Sequence, residues 1–177
     1  MKPIVFAPDT ILTTPAKDVT VFDRKLEQLV RSLHDTLKKT DNPKGVGLAA
    51  TQIGESYRVF VTRPTEHARI RTYINPEILA LEDADTGPRD RRLEGCLSIP
   101  NVWGKVRRAG KVTLRFTDET GNVKTEDFSG FPATIIQHET DHVNGILFTQ
   151  RVLEQKGRLY RLSYDETGKE TLEEILI

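Results

Sequence analysis

Two histidines four residues apart, in His138-Glu139-Thr140-Asp141-His142, constrain this chain more tightly than any other feature. In an α-helix, and not in a strand, that spacing puts both imidazoles on one face with Cβ atoms about 5–6 Å apart, close enough to grip one ion. Ile135 precedes His138 by three residues. The ligand face therefore continues into an apolar stripe and must look inward. A helix is expected from Pro132 to Asn144, with Ser129 or Gly130 before it, proline in its first turn and Gly145 at its C-terminal cap. Glu139 is rotated one residue step from His138, so it reaches a water on the ion without ligating. That is the place of a general base that later serves as general acid.

A pattern with three fixed positions also arises in unrelated chains, so its meaning depends on a third ligand. Many zinc peptidases take theirs from a downstream histidine or glutamate. Here no histidine follows His142, and Glu154 lies in a charged stretch. Cys96, in Glu94-Gly95-Cys96-Leu97-Ser98-Ile99-Pro100, is the better candidate. As the only cysteine it excludes an intramolecular disulfide and suits a reducing compartment, although an isolated cysteine is more often a small buried hydrophobe. Lysine plus arginine balance aspartate plus glutamate at 26 each, which gives no one-signed field for nucleic acid or an anionic membrane. The N-terminus has no secretory h-region and no run approaches a membrane span, so a soluble, cytoplasmic protein is expected. At 177 residues the chain is long enough for one domain to bury a core.

Leu26, Leu29, Val30, Leu33 and Leu37 recur at helical steps after Asp23, a capping residue, and predict an amphipathic helix that ends near Thr40. Gly45 to Gly54 reads as a loop of small residues. Tyr57–Thr62 and Tyr73–Leu81 read as strands, the second interrupted at Pro76, and the charged stretch Glu82–Arg92 as a loop. Alternating Val112, Leu114 and Phe116, then Asp118-Glu119-Thr120-Gly121-Asn122, predict a β-hairpin returning through Val123–Phe128. Leu172–Ile177 fits a strand or a short helix.

Taken in order, Gly45-Val46-Gly47-Leu48-Ala49-Ala50-Thr51-Gln52, Glu94-Gly95-Cys96-Leu97-Ser98 and Gln137-His138-Glu139-Thr140-Asp141-His142 resemble the three signature motifs of peptide deformylases. Weaker similarity extends from the N-terminus to about Phe148. The resemblance implies an α+β fold with antiparallel β-sheets around a central helix carrying the HExxH motif. The expected organisation is a single catalytic domain over 1–177, with a core over about 4–148 and a variable tail over 149–177. It implies one divalent ion per chain, natively Fe(II), with Zn(II), Ni(II) or Co(II) in preparations. Cys96, His138 and His142 match the family's ligands and Glu139 its acid/base. Gln52 and the Leu97 backbone N–H match its oxyanion donors. Val46, Gly47, Leu97 and Ile135 fall at positions lining its methionine pocket, and Arg108 at an arginine that pairs with the motif glutamate, here Glu94. The implied substrates are formyl-Met nascent peptides; ribosome contact stays open, and the chain is expected to be a monomer with no membrane or sequence-specific nucleic-acid partner. Thr51, Val143 and Thr149-Gln150 depart from the common pattern without touching a catalytic position. The motif His138–His142 alone also fits a zinc endopeptidase, and a metal-stabilised binding protein is a third reading. His34 and His67 read as structural or solvated, and Trp103 as packing.

Overall fold

The computed structural model describes residues 2–41, 44–83, 93–164 and 166–176. Helix α1 spans Arg24–Lys39, where the periodicity puts it. The Asp23 carboxylate accepts from the N–H groups of Lys25 at 2.9 Å and Leu26 at 3.1 Å, which satisfies donors a helix start otherwise leaves open. Leu26, Leu29, Val30, Leu33 and Leu37 are buried and pack against Leu48, Val59 and Val61. Those three come from β1 (Gly47–Ala49) and β2 (Val59–Thr62).

β1 and β2 begin an antiparallel five-stranded sheet that continues through β3 (Arg71–Glu82), β6 (Lys111–Thr117) and β7 (Val123–Ser129), in the order β1-β2-β3-β6-β7. The residues expected to form one loop over 45–54 instead form β1 and a 3-10 turn over Ala50–Ile53. Three residues are too few for a periodic signal, and pairing with β2 makes the strand. Pro76 does not interrupt β3; the register with β6 shifts between Ile74 and Glu77, where a residue without an N–H is tolerated. Asn75 adopts φ 50° there, and its side chain exchanges two 2.8 Å hydrogen bonds with the backbone of Val19. The β6–β7 hairpin follows the alternation, and Asp118 accepts from the N–H groups of Thr120 and Asn122 across its turn. The strand β3 runs to Glu82, and most of the expected charged loop, 84–92, lies outside the described residues.

Helix α2 (Phe131–Val143) is buried on nearly every side, including Ala133, Ile135, Ile136, Gln137, Glu139, Thr140, Asp141, His142 and Val143. A helix enclosed all round belongs at the centre of a fold. Ala133, Ile136 and Val143 pack with Phe60, Tyr73, Phe116 and Phe128 of the five-stranded sheet. The expected cap is found: Gly145 has φ 74° and its N–H donates to the His142 carbonyl at 3.1 Å.

A second antiparallel sheet has the order β4-β5-β8-β9: β4 (Glu94–Cys96), β5 (Ile99–Gly104), β8 (Leu159–Tyr164) and β9 (Glu170–Ile175). Of the undecided C-terminal segment, Leu172–Ile175 is part of a strand, because β8 offers it a pairing edge. Helix α3 (Phe148–Glu154) supplies Phe148 and Val152 to a small core with Cys96, Val106 and Leu159.

Candidate metal centre

His138 and His142 lie one turn apart on α2, with ring centroids 5.0 Å apart and planes inclined by 72°. Cys96 closes β4, followed by the two-residue turn Leu97-Ser98. That turn delivers its Sγ to 3.2 Å from His142 Nε2, and the ligand atoms of Cys96, His138 and His142 all lie within 4.8 Å of one another. Around a tetrahedral ion with bonds of about 2.0–2.3 Å, ligand atoms sit roughly 3.3–3.8 Å apart. The three atoms need only a small contraction to match.

Gln52 reaches the same place from the 3-10 turn. Its Oε1 accepts from the Ala49 N–H at 2.9 Å, which fixes the amide so that Nε2 faces Cys96 Sγ at 3.4 Å and Ser98 Oγ at 3.2 Å. The N-terminal segment ties the two motifs together: Val5 N–H donates to the Gln52 carbonyl at 2.8 Å and Ala7 N–H to the Ser98 carbonyl at 3.0 Å.

Charge around the site is arranged in shells. Glu94 Oε2 lies 3.0 Å from His138 Nδ1. An ionised carboxylate only accepts, so Nδ1 carries the proton and Nε2 is left unprotonated for an ion. Arg108 forks onto Glu94 at 2.8 and 3.0 Å. Burial works to raise the Glu94 pKa, yet the bonds from His138 and Arg108 prevail and hold it at about 2. Burial likewise opposes ionisation of Cys96, but the neighbouring His142 and His138 bring the thiol well below its usual value, toward the thiolate that metals bind. Glu139 is 3% exposed, and burial pushes its carboxyl up to about 7 against the pull of His138 and His142. Its Oε2 is buried with no hydrogen-bond partner among the described residues. A buried thiol, two imidazoles and an unpaired carboxylate oxygen form a donor set that fits a divalent transition-metal ion with a water beside Glu139.

The polypeptide deformylase family model matches residues 1–158. The chain belongs to that family. Peptide deformylase 1 of Bacillus subtilis is 41% identical over 152 residues, covering 86% of this chain and 90% of that one. Among solved structures, a deformylase from Synechococcus elongatus in complex with actinonin superposes with TM-score 0.76 at 35% identity, covering 85% of this chain and 79% of that one. A Met-Ala-Ser-bound class I type b deformylase from Acinetobacter baumannii gives 0.74 at 34% identity, covering 85% and 98%. The deformylase described here is thus a metal-dependent amide hydrolase of α+β fold, and the zinc-endopeptidase reading falls away.

Of the remaining candidate residues of this deformylase, Gly47 and the Glu94–Arg108 pair touch the centre. Gly47 is pressed against Glu139, where an added Cβ would lie 2.7 Å from the carboxylate carbon. Ile135 is 3% exposed; Val46 and Leu97 are half-buried, and Leu97 packs on the α1 core. Glu94 and Arg108 meet as expected. Asp141, Arg151 and Ser98 were not singled out by sequence, and of these Asp141 and Ser98 carried a local signal, each lying inside a motif. Arg108 Nη1 also bonds Asp141 at 2.6 Å, and Arg151 grips Asp141 from α3. His34 bonds Thr72 Oγ1 at 2.9 Å and His67 is exposed, in line with structural and solvated roles. The Trp103 ring covers Gly95, where a Cβ would meet it at 2.8 Å. Two surface concavities, of about 610 and 480 Å³, contain none of the metal-site residues.

Proposed function

We propose that this deformylase hydrolyses the formyl amide on the N-terminal methionine of nascent polypeptides and releases formate, with Cys96, His138 and His142 holding an Fe(II) ion. The observation that carries the reading is the meeting of these three ligand atoms within 4.8 Å beside a buried, unpaired Glu139 oxygen. Cys96, His138 and His142 would hold a divalent ion there, which would supply a water made acidic enough to ionise near neutrality. Glu139, whose carboxyl burial pushes up to about 7, would accept a proton from a water as its oxygen bonds to the formyl carbon and would pass that proton to the amine as the C–N bond breaks. Gln52 Nε2, held outward by the Ala49 N–H, donates to the formyl oxygen as negative charge builds there, joined by the Leu97 N–H. A neutral amide does this without altering the charge of the ion and thiolate.

Val46, Gly47, Leu97 and Ile135 line the pocket for the methionine side chain. The related Acinetobacter baumannii deformylase bound to Met-Ala-Ser, a peptide that begins with methionine, supports that substrate class. Residues 1–177 act as one catalytic domain, since β8 and β9 pair with the cysteine hairpin through β5. No described helix is long and apolar enough to cross a membrane, and we take the protein to act in the cytoplasm as a monomer. A formyl-Met tripeptide assayed anaerobically with Fe(II)-loaded protein tests the whole reading. Formate release is expected, with Glu139→Ala inactive yet still metal-loaded; an active Glu139→Ala variant refutes the assigned proton carrier.

A further inference from the structure

The charges behind His138 do not stop at Glu94. Glu94 and Arg108 continue to Asp141 and then to Arg151 on α3, a chain of contacts with both ends defined. His138 Nδ1 donates to Glu94 Oε2 at 3.0 Å. Arg108 donates to Glu94 at 2.8 and 3.0 Å and to Asp141 Oδ2 at 2.6 Å. Arg151 closes the chain by donating to Asp141 Oδ1 at 2.7 Å and Oδ2 at 3.2 Å. We propose that Arg151 is a positioning residue for the metal centre: by occupying Asp141 it keeps the Arg108 fork on Glu94, and Glu94 in turn holds His138 in its ligating orientation. The inference rests on the metal-site reading above.

Competition for donors and the local charge count give Arg151 this role. Glu94, Arg108 and Asp141 side chains are about one tenth exposed, at 11%, 9% and 10%. Two buried carboxylates face two guanidiniums, so the group is neutral only with Arg151 included. Without Arg151, Asp141 Oδ1 loses the donor Arg151 Nη2 and Asp141 competes for the single remaining guanidinium. Arg108 can then satisfy Asp141 with both arms of its fork only by leaving Glu94. The uncompensated negative charge would lie one step from a histidine that already faces the Cys96 thiolate. Arg151 is also linked to Glu154 at 3.2 Å, an i,i+3 pair made through Nη1, whereas Nε and Nη2 serve Asp141.

Three residues, Asp141, Arg108 and Glu94, separate Arg151 from the ligand His138, so the lower end of the effect known for outer-shell partners applies: about a tenfold loss of metal affinity. The test uses the full-length protein and measures Zn(II) dissociation by chelator competition, together with the visible absorption of the Co(II)-loaded form. Arg151→Gln is expected to weaken Zn(II) binding by about tenfold and shift the Co(II) bands, while the metal-free protein melts within a few degrees of wild type. Arg151→Lys, which keeps the charge but offers no fork, should fall between. Glu154→Gln should bind as wild type. Asp141→Asn/Arg151→Gln should bind no worse than Asp141→Asn alone, because Arg151 acts only through Asp141. Wild-type affinity and spectra in Arg151→Gln overturn the proposal, as does lower thermal stability with unchanged affinity. If Arg151→Gln does not fold, the Lys variant decides between the same outcomes. Retention of Zn(II) by Cys96→Ala and His138→Ala would instead overturn the metal-site reading itself, a result separable from the fate of Arg151.

Discussion

Arg108→Met removes a guanidinium that is 9% exposed and leaves a side chain of similar length in its place. Glu94 keeps only His138 and Asp141 keeps only Arg151, so both carboxylates stay buried with half their donors lost. Breaking a buried ion pair from one side costs about 3–5 kcal/mol. Because each carboxylate retains one partner, the lower end applies. Guanidinium denaturation of the metal-free protein at pH 7 should therefore show a loss of about 3 kcal/mol, and a thermal midpoint lower by roughly 6–12 °C for a chain of this size. The sign with pH follows from the depressed Glu94 value. Its stabilising contribution is complete above about 4.5 and disappears as pH falls through about 2, so the gap between wild type and variant should narrow over that window. A loss under about 1 kcal/mol at pH 7, or a gap that widens on acidification, would refute the assignment of Arg108 as the counter-charge that makes this site foldable.

Gln52→Leu should lower kcat by about 10²–10³-fold with little change in metal content, since one oxyanion donor is removed and the shape is kept; steady-state kinetics with a formyl-Met peptide check it. Gly145→Ala meets two obstacles, a φ of 74° and the Thr14–Pro15 backbone 2.8–2.9 Å from the new Cβ, and should destabilise the protein by more than the ~1 kcal/mol of the φ penalty alone, read by chemical denaturation. In the metal-free protein Glu139, raised to about 7 by burial, contributes stability that is present below about 4.5 and lost as pH rises through 7. Glu139→Gln has no such proton, so its melting point should gain on wild type between pH 5 and 8; parallel curves would contradict the buried, protonated state.

Residues that act through local spacing were legible in the chain. The i,i+4 histidines demand a helix, the leucine periodicity after Asp23 defines α1 to within a residue or two, and alternation about Asp118–Asn122 defines the β6–β7 hairpin, because each pattern is enforced by backbone geometry within one element. The likeness of three short motifs to deformylases named the ligands, although nothing local says that Cys96 lies near His142. That meeting depends on β4 turning at Leu97-Ser98 against a helix more than 40 residues away in sequence. β1, the 3-10 turn carrying Gln52, and β9 were not readable in advance, since each is made by the strand or side chain it meets and not by its own composition. Arg151 is the clearest case: in sequence it is one charge in a charged stretch, and only the docking of α3 beside α2 gives it Asp141 as a partner. Burial is the physical reason, because a long-range contact sets the energy of a charged group far more strongly once water has been excluded from around it.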